Sequence, residues 1–407
     1  MAEHREPIAA RVLQRQAMAR EREQLRREPQ LHYLFLELTD GCDLRCRHCG
    51  SRCGPGAATC LDADRAIETI RAAVAYEPRA HIVLTGGEPL LHPGFAQIVR
   101  ALGELDVFWS LVTNATLLDA PTAALLRANG IFSASVSLDG DEAEHNELRQ
   151  SPWAFSAALR GIALLREARI PVQITTVVTR RTLDQLDRIE TIVRAAGARS
   201  WKLVNIEPMG RALSEPELLL DREGLLRLLA AIAGKRARSQ SERGGMDITY
   251  GCAHLLPLLY EGAVRTTPFL CGAGIMIASV RCNGDIVGCL DIEPRPELVQ
   301  GNIYRDDLVQ VWRERFAPFR RDRTADSPRC RDCRLREVCG GDSMHSWDFD
   351  RREPRMCLFA PDGAPGPEAR DTGASGPEAR SAETPGPEAA PDLRGAEPPP
   401  GRPEQAP

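Results

Sequence analysis

The sequence predicts an α/β protein, with a parallel sheet covered by helices on one side, then a small cysteine-rich region and a disordered C-terminal tail. Three observations carry this expectation. Six short β-rich runs alternate with helical patterns between residues 31 and 208, eight of the thirteen cysteines fall between residues 252 and 360, and residues 361–407 hold twelve prolines with almost no apolar side chains. Each parallel strand pair needs a crossover, which the intervening helices supply.

The elements follow in order. Residues 1–30 form an N-terminal helical arm, Pro7 to Arg27 reading as a solvated helix with sparse apolar positions. The strands are LHYLFLELT from Leu31, HIVLTG from His81, VFWSLVT from Val107, IFSASVSLD from Ile131, PVQITTVVT from Pro171 and SWKLVNIEP from Ser200. Helical patterns lie at 61–76, 93–104, 120–129, 153–168 and 182–196, with Asp62, Asp119 and Thr182 near their starts. A further helix from Asp221 to Ala233 closes the main domain, 31–235, before a linker and the cysteine-rich segment, 236–360. That segment has few long periodic runs, so metal rather than a large apolar core is expected to hold it. The tail repeats GPEA at Gly366, Gly376 and Gly386 and has no means of offsetting its ordering entropy.

Composition excludes several classes. No run approaches the roughly 18 apolar residues of a membrane span, and the Arg- and Glu-rich start is not a secretory signal. A cytoplasmic location is therefore expected, where thirteen cysteines read as metal or redox chemistry rather than disulfides. The net charge is -5; the tail and the arm account for -5 and +2, which leaves -2 on the body and no basic footprint for nucleic acid. Lys202 and Lys235 are the only lysines against fifty arginines, a coding bias without functional weight.

Directly after the first strand comes TDGCDLRCRHCGSRCG, which spaces Cys42, Cys46 and Cys49 as C-x3-C-x2-C. Three thiolates on one loop can bind three irons of a [4Fe-4S] cluster and leave the fourth iron open to a small molecule. Structural zinc is the alternative, but it wants a closed tetrahedron and no fourth ligand is near. Cys53 and Cys60 read as buried or incidental thiols.

With LTGGEP at 84–89, VTNA at 112–115, SVSLDG at 135–140 and HNELRQ at 145–150, the chain resembles the radical S-adenosylmethionine enzymes over about residues 31–208. The resemblance implies a partial (β/α)6 TIM-like barrel with this loop after its first strand, and a ring at His48 shielding the cluster. It also implies S-adenosylmethionine ligands at the strand ends: Gly86, Gly87 and Glu88 at the methionine ammonium, Ser137 at the methionyl moiety and Arg149 at its carboxylate. Asn114 and Thr176 are expected at the same mouth.

The second array is Cys271, Gly284 and Cys289, then Cys330-x2-Cys333-x5-Cys339 and Cys357. It resembles the SPASM domain of peptide-modifying radical enzymes, as does GNIYRDDLVQVW at 301–312. The resemblance implies a closed auxiliary [4Fe-4S] cluster on Cys330, Cys333, Cys339 and Cys357. A second auxiliary site would use Cys271 and Cys289, but Ser343 stands where the pattern has cysteine. Cys252 and Cys282 are candidate replacements, and an oxygen-ligated or open cluster, a [2Fe-2S] cluster and an empty site all remain, an occupied and atypically ligated cluster being preferred. A zinc ribbon is the alternative for the whole array.

The implied activity is generation of a 5'-deoxyadenosyl radical that modifies a peptide or protein by hydrogen abstraction. Expected partners are that substrate, an electron donor such as flavodoxin or ferredoxin, and a separate leader-recognition protein, since thirty N-terminal residues are too few for a leader-binding domain. A haem-type tetrapyrrole substrate and a zinc-stabilised interaction module are the competing readings. Asp291, two residues after Cys289, lies near where sulfatase-type maturases place a base, yet reads better as a solvated turn carboxylate.

Overall fold

The computed structural model describes residues 8–359, apart from residue 57 and residues 268–269. The disordered-tail expectation for 361–407 lies outside the described residues. The chain runs α1 (Ile8–Arg27), β1 (Tyr33–Glu37), α2 (Ala63–Tyr76), β2 (His81–Thr85), α3 (Phe95–Glu104), β3 (Trp109–Thr113), α4 (Ala120–Ala128), β4 (Ser133–Ser137), α5 (Glu142–Arg149), α6 (Ala154–Glu167), β5 (Val172–Val178), α7 (Leu186–Ala195) and β6 (Ser200–Asn205). There follow α8 (Arg222–Ser241), β7 (Asp247–Tyr250), β8 (Ile277–Val280), β9 (Asp285–Val287), β10 (Gly301–Asn302), α9 (Leu308–Glu314), α10 (Ala317–Arg320), α11 (Arg336–Cys339), β11 (Trp347–Asp348) and β12 (Glu353–Pro354).

One sheet takes the order β10-β9-β8-β1-β2-β3-β4-β5-β6-β7. From β8 to β7 every pairing is parallel, with Leu34 against Ile82 and Ala278, and Leu203 against Tyr250. The six expected strands are all present. The sheet also gains β7 at one edge and β8 on the other side of β1, four-residue strands too short to show a period in the sequence. Beyond β8 the chain turns antiparallel through β9 and β10, so the cysteine-rich segment grows out of the sheet itself.

Carboxylates at the helix starts behave as the sequence suggests. Asp62 accepts from Arg65 N at 2.9 Å and Asp119 from Thr122 N at 2.8 Å, each satisfying one orphan amide of the first turn. Thr182 does not cap in this way. Its hydroxyl takes the amide of Thr179 instead, and a 3-10 turn, Leu183–Gln185, precedes α7. Strand alternation sorts the sheet's faces: Ile174, Thr176 and Val178 of β5 are buried, whereas Gln173, Thr175 and Val177 are half-buried. The buried set packs with Ile162 and Leu165 of α6 and with Trp201, all of them essentially sealed from solvent. Among the described residues no helix is long and apolar enough to cross a membrane.

Candidate active site

The cysteine loop starts at the C-terminal end of β1 and is closed at its base. Cys42 N donates to Gly54 O at 3.0 Å and Leu61 N to Leu38 O at 2.8 Å, so residues 42–54 form a pinched loop. Inside it Cys42, Cys46, Leu44, Cys53 and Ala154 form a small buried cluster with Cys49 packed against it. Burial pushes the Cys42 thiol up to about 12 and also raises Cys46, while hydrogen bonding with Cys53 draws Cys49 down to about 6. Cys42 and Cys46 so placed are costly as bare thiolates, for which bound iron would supply the compensating positive charge, while Cys49 is already favoured as a thiolate. The three donors and their dry surroundings fit a cluster. Cys60, by contrast, is exposed.

Three further strand ends grip this loop. Gly87 N donates to Thr39 O at 2.6 Å and Glu88 N to Gly41 O at 2.8 Å. A Cβ on Gly87 would fall 2.2 Å from the carbonyl oxygen of Gly41, so glycine is required for the β2 end to reach the loop. The Glu88 side chain is fully buried and turns towards β3, accepting from Thr113 Oγ1 at 2.8 Å and Asn114 N at 2.8 Å. Burial pushes it up to about 7, against the pull of those hydrogen bonds. Asn114 Nδ2 in turn donates to Asp43 Oδ1 at 2.8 Å and stands 3.8 Å from Cys42 Sγ.

At the β4 end, Asp139 and Arg149 are buried as a pair. Arg149 Nε and Nη2 contact Asp139 Oδ2 at 2.8 and 2.7 Å, and Nη1 lies 3.9 Å from Cys46 Sγ. Burial alone would raise Asp139, but Arg149 and His48 hold it down at about 2. His48 sits beside the pair, 3.9 Å from Asp139; its ring is pushed down to about 4 by burial and its Nδ1 has no partner. Ser137 is half-buried on the same side of β4 as Ser135. Thr176 lies on the opposite face, its hydroxyl donating to Leu138 O at 2.6 Å and accepting from Trp201 Nε1 at 2.9 Å. It reaches the mouth only through the backbone that carries Asp139.

The segment after β6 is a contributor the sequence did not single out. Arg211 donates to the carbonyls of Cys46 at 2.6 Å and Cys53 at 2.7 Å, and its amide donates to Cys49 O at 3.0 Å. Gly210, at φ +55°, passes so close that a Cβ would meet Gly50 O at 2.2 Å. The glycine-arginine pair following the strand end was the available signal. Asp43 was a second, as a charged residue inside the cysteine spacing.

In the C-terminal region Cys330, Cys333, Cys339 and Cys357 line one cavity of about 280 Å³. Backbone amides already point at two of these sulfurs, Asp342 N at Cys339 Sγ (3.1 Å) and Leu335 N at Cys333 Sγ (3.4 Å), the kind of hydrogen bond that tunes iron–sulfur ligands. The cavity and its four donors fit a closed cluster. Cys271 and Cys289 lie close enough to interact electrostatically; among the described residues Cys271 borders a void of about 10 Å³ and Cys289 a groove of about 440 Å³, and Phe319 lines both. The Phe319 ring packs against Gly288 and its Cβ against Gly274, with no room for a Cβ at either glycine. Ser343 is fully buried and bonds His345 Nε2 at 2.9 Å. Cys282 is buried beside Glu37, and Asp291 is exposed.

Residues 36–192 match the Radical SAM superfamily, and residues 271–334 match SPASM, an iron-sulfur cluster-binding domain. The AdoMet-dependent heme synthase of Methanosarcina barkeri is 29% identical over 349 residues, covering 80% of this chain and 95% of that protein. The mycofactocin maturase MftC of Mycobacterium tuberculosis is 27% identical, covering 76% of this chain and 78% of its own. In fold the chain is similar to Streptococcus suis SuiB bound to the precursor peptide SuiA, with a TM-score of 0.65 at 18% identity over 83% of this chain and 79% of that one. With both sets of thiols in place and both models matched, the chain carries a Radical SAM domain over residues 36–192 and a SPASM domain over residues 271–334.

Proposed function

We propose that the protein is a radical SAM/SPASM maturase, an oxidoreductase-type enzyme that modifies a peptide or protein by hydrogen abstraction. The observation that carries this reading is the pairing of a buried three-thiol loop at the mouth of the parallel sheet with a separate four-cysteine cavity. A cluster on Cys42, Cys46 and Cys49 together with S-adenosylmethionine supplies a 5'-deoxyadenosyl radical once an electron arrives. The chain's own groups hold and orient. Gly86 and Gly87 admit the methionine end close to backbone, Ser137 and Arg149 take its polar groups, and Glu88 with Asn114 fixes the β3 end against the loop. Thr176 positions Asp139, which sets the Arg149 guanidinium. Cys330, Cys333, Cys339 and Cys357 hold the auxiliary cluster, and Cys271 and Cys289 are the remaining candidate ligands.

The maturase relative, with three quarters of each chain aligned, supports the peptide reading. The work is assigned to the cytoplasm, with a flavodoxin or ferredoxin as donor and a separate protein for leader recognition. Anaerobic reconstitution, reduction and mass spectrometry of candidate peptides test it: a mass loss of two hydrogens or a crosslink, dependent on S-adenosylmethionine, is expected. A haem-type tetrapyrrole is the second reading, favoured by the heme synthase that aligns along 95% of its length. Turnover of an iron porphyrinoid with no change in any peptide would replace the first reading by the second.

A further inference from the structure

At the wall of the auxiliary cavity, which His254 and Asp342 also line, the structure gathers a third group of ligand-type side chains. One oxygen of Glu207, Cys252 Sγ and one nitrogen of His254 all lie within 4.8 Å of one another. Topology brings them together: β6 and β7 are parallel neighbours, with Leu203 opposite Tyr250, and the three residues follow just past those strand ends. His345, from the C-terminal side, approaches as a fourth: its Nε2, which bonds Ser343 Oγ at 2.9 Å and would exchange that bond for the ion, lies 3.7 Å from Glu207 Oε1, and its ring 5.5 Å from that of His254. His254 is 2% exposed and Cys252 8%.

We propose that Glu207, Cys252, His254 and His345 bind one divalent first-row metal ion, zinc(II) or iron(II), distinct from the iron–sulfur clusters. One sulfur, two imidazoles and a carboxylate are the donor types such borderline ions take, and four donors suit a tetrahedron. The surroundings of His254 are the second observation. Its Nδ1 meets Asp342 Oδ2 at 2.7 Å while Nε2 points at Glu207, the arrangement in which a carboxylate fixes the tautomer and orientation of a ligating histidine. Asp342 is anchored in its turn by Leu255 N at 2.8 Å, and Glu207 by Asn205 Nδ2 at 2.7 Å, with Tyr250 behind Asn205 at 2.5 Å. Without an ion, a proton holds His254 Nε2 and Glu207 Oε1 at 2.6 Å. Metal entry displaces that proton and the one on Cys252, and the ligands part to accommodate the ion. Because the ligands come from the barrel ends and from the C-terminal side, the ion would tie the two together beside the loop that Met209 and Arg211 press onto the first cluster site.

The test uses reconstituted full-length protein, with zinc(II) as the probe, desalted and measured by elemental analysis and zinc-edge X-ray absorption. One zinc per chain is expected, with one sulfur at about 2.3 Å and the remaining ligands nitrogen or oxygen at about 2.0–2.2 Å. Cys252→Ala should lose the sulfur contribution with iron and sulfide unchanged, and Asp342→Asn should weaken zinc roughly 10- to 100-fold. Wild-type protein that retains no zinc, or zinc held by four sulfurs and indifferent to Cys252→Ala, would overturn the proposal and leave a buried Asp342–His254–Glu207 charge triad in its place.

Discussion

Arg22 of α1 reaches 317 residues along the chain to donate to the carbonyl of Cys339, at 3.2 Å, and to that of Val338 at 2.9 Å. The guanidinium lies over Gly340, the left-handed residue that ends α11, and so braces the turn on which one auxiliary ligand stands. Arg11 does the same for Leu258 O at 2.8 Å, and Arg15 for Leu256, in the stretch that follows His254. The N-terminal helix thus braces the turn that carries Cys339 and the stretch that follows His254.

Replacing Arg22 with Ala should therefore cost about 1–3 kcal/mol, since the carbonyls it satisfies lie in a part-buried place. The loss should fall on one site. Iron and sulfide counts after reconstitution are expected to drop by about one cluster, with S-adenosylmethionine cleavage by the first cluster retained. Full iron in this variant would mean that the brace is dispensable.

Arg149 and Asp139 set a second expectation. Both are buried, so removing the cation strands a carboxylate in a dry site, at a cost of about 3–5 kcal/mol. Arg149→Gln should lower thermal stability by several degrees and abolish cofactor cleavage, whereas the double change Arg149→Gln with Asp139→Asn should recover much of the stability but none of the cleavage. A double variant that cleaves would separate Arg149 from cofactor binding.

Glu88 sets a pH dependence whose sign follows from its environment. Burial raises it from 4.5 to about 7, so the folded state holds a proton that the unfolded state has released. Stability from this group is fully present below about pH 4.5 and is lost as pH rises through about 7. The cluster-free protein should therefore melt lower at pH 8 than at pH 5, and Glu88→Gln should flatten that slope while costing the hydrogen bond to Asn114 N. A wild-type slope of opposite sign would show Glu88 ionised throughout.

The sheet and the first cluster loop were legible because their signals are local: period-2 runs, capping carboxylates at Asp62 and Asp119, and a fixed cysteine spacing. What sequence could not show is long-range. Thr176 follows a strand-end pattern, but which face it occupies depends on the register of β5 against Trp201. Glu207 and His254 are 47 residues apart and Asp342 is 88 beyond His254, and only the β6–β7 pairing and the C-terminal fold join them. Arg22 likewise looked like a solvated helix charge, since its carbonyl partners lie at the far end of the described chain.

The last expectation concerns the incomplete cysteine set, where spacing and packing point different ways. Cys271 and Cys289 match the SPASM pattern, yet Phe319 lines the spaces beside both, and Ser343 turns its hydroxyl to His345. A cluster there would have to displace a ring that is 4% exposed and packed against Gly274 and Gly288. Moving Phe319 aside would forfeit its packing, for which truncation of a buried phenylalanine, at about 3–5 kcal/mol, gives the scale. Wild-type protein should accordingly reconstitute with two clusters; Cys271→Ser and Ser343→Cys should leave iron, sulfide and the paramagnetic resonance of the reduced protein unchanged, while Cys339→Ser should remove one cluster. Phe319→Ala combined with Ser343→Cys is the variant that opens the space and adds the thiol, and a third cluster appearing only there would identify the ring as what keeps the site closed. Iron for three clusters in the wild type, falling to two in Cys271→Ser, would show that Phe319 yields to iron.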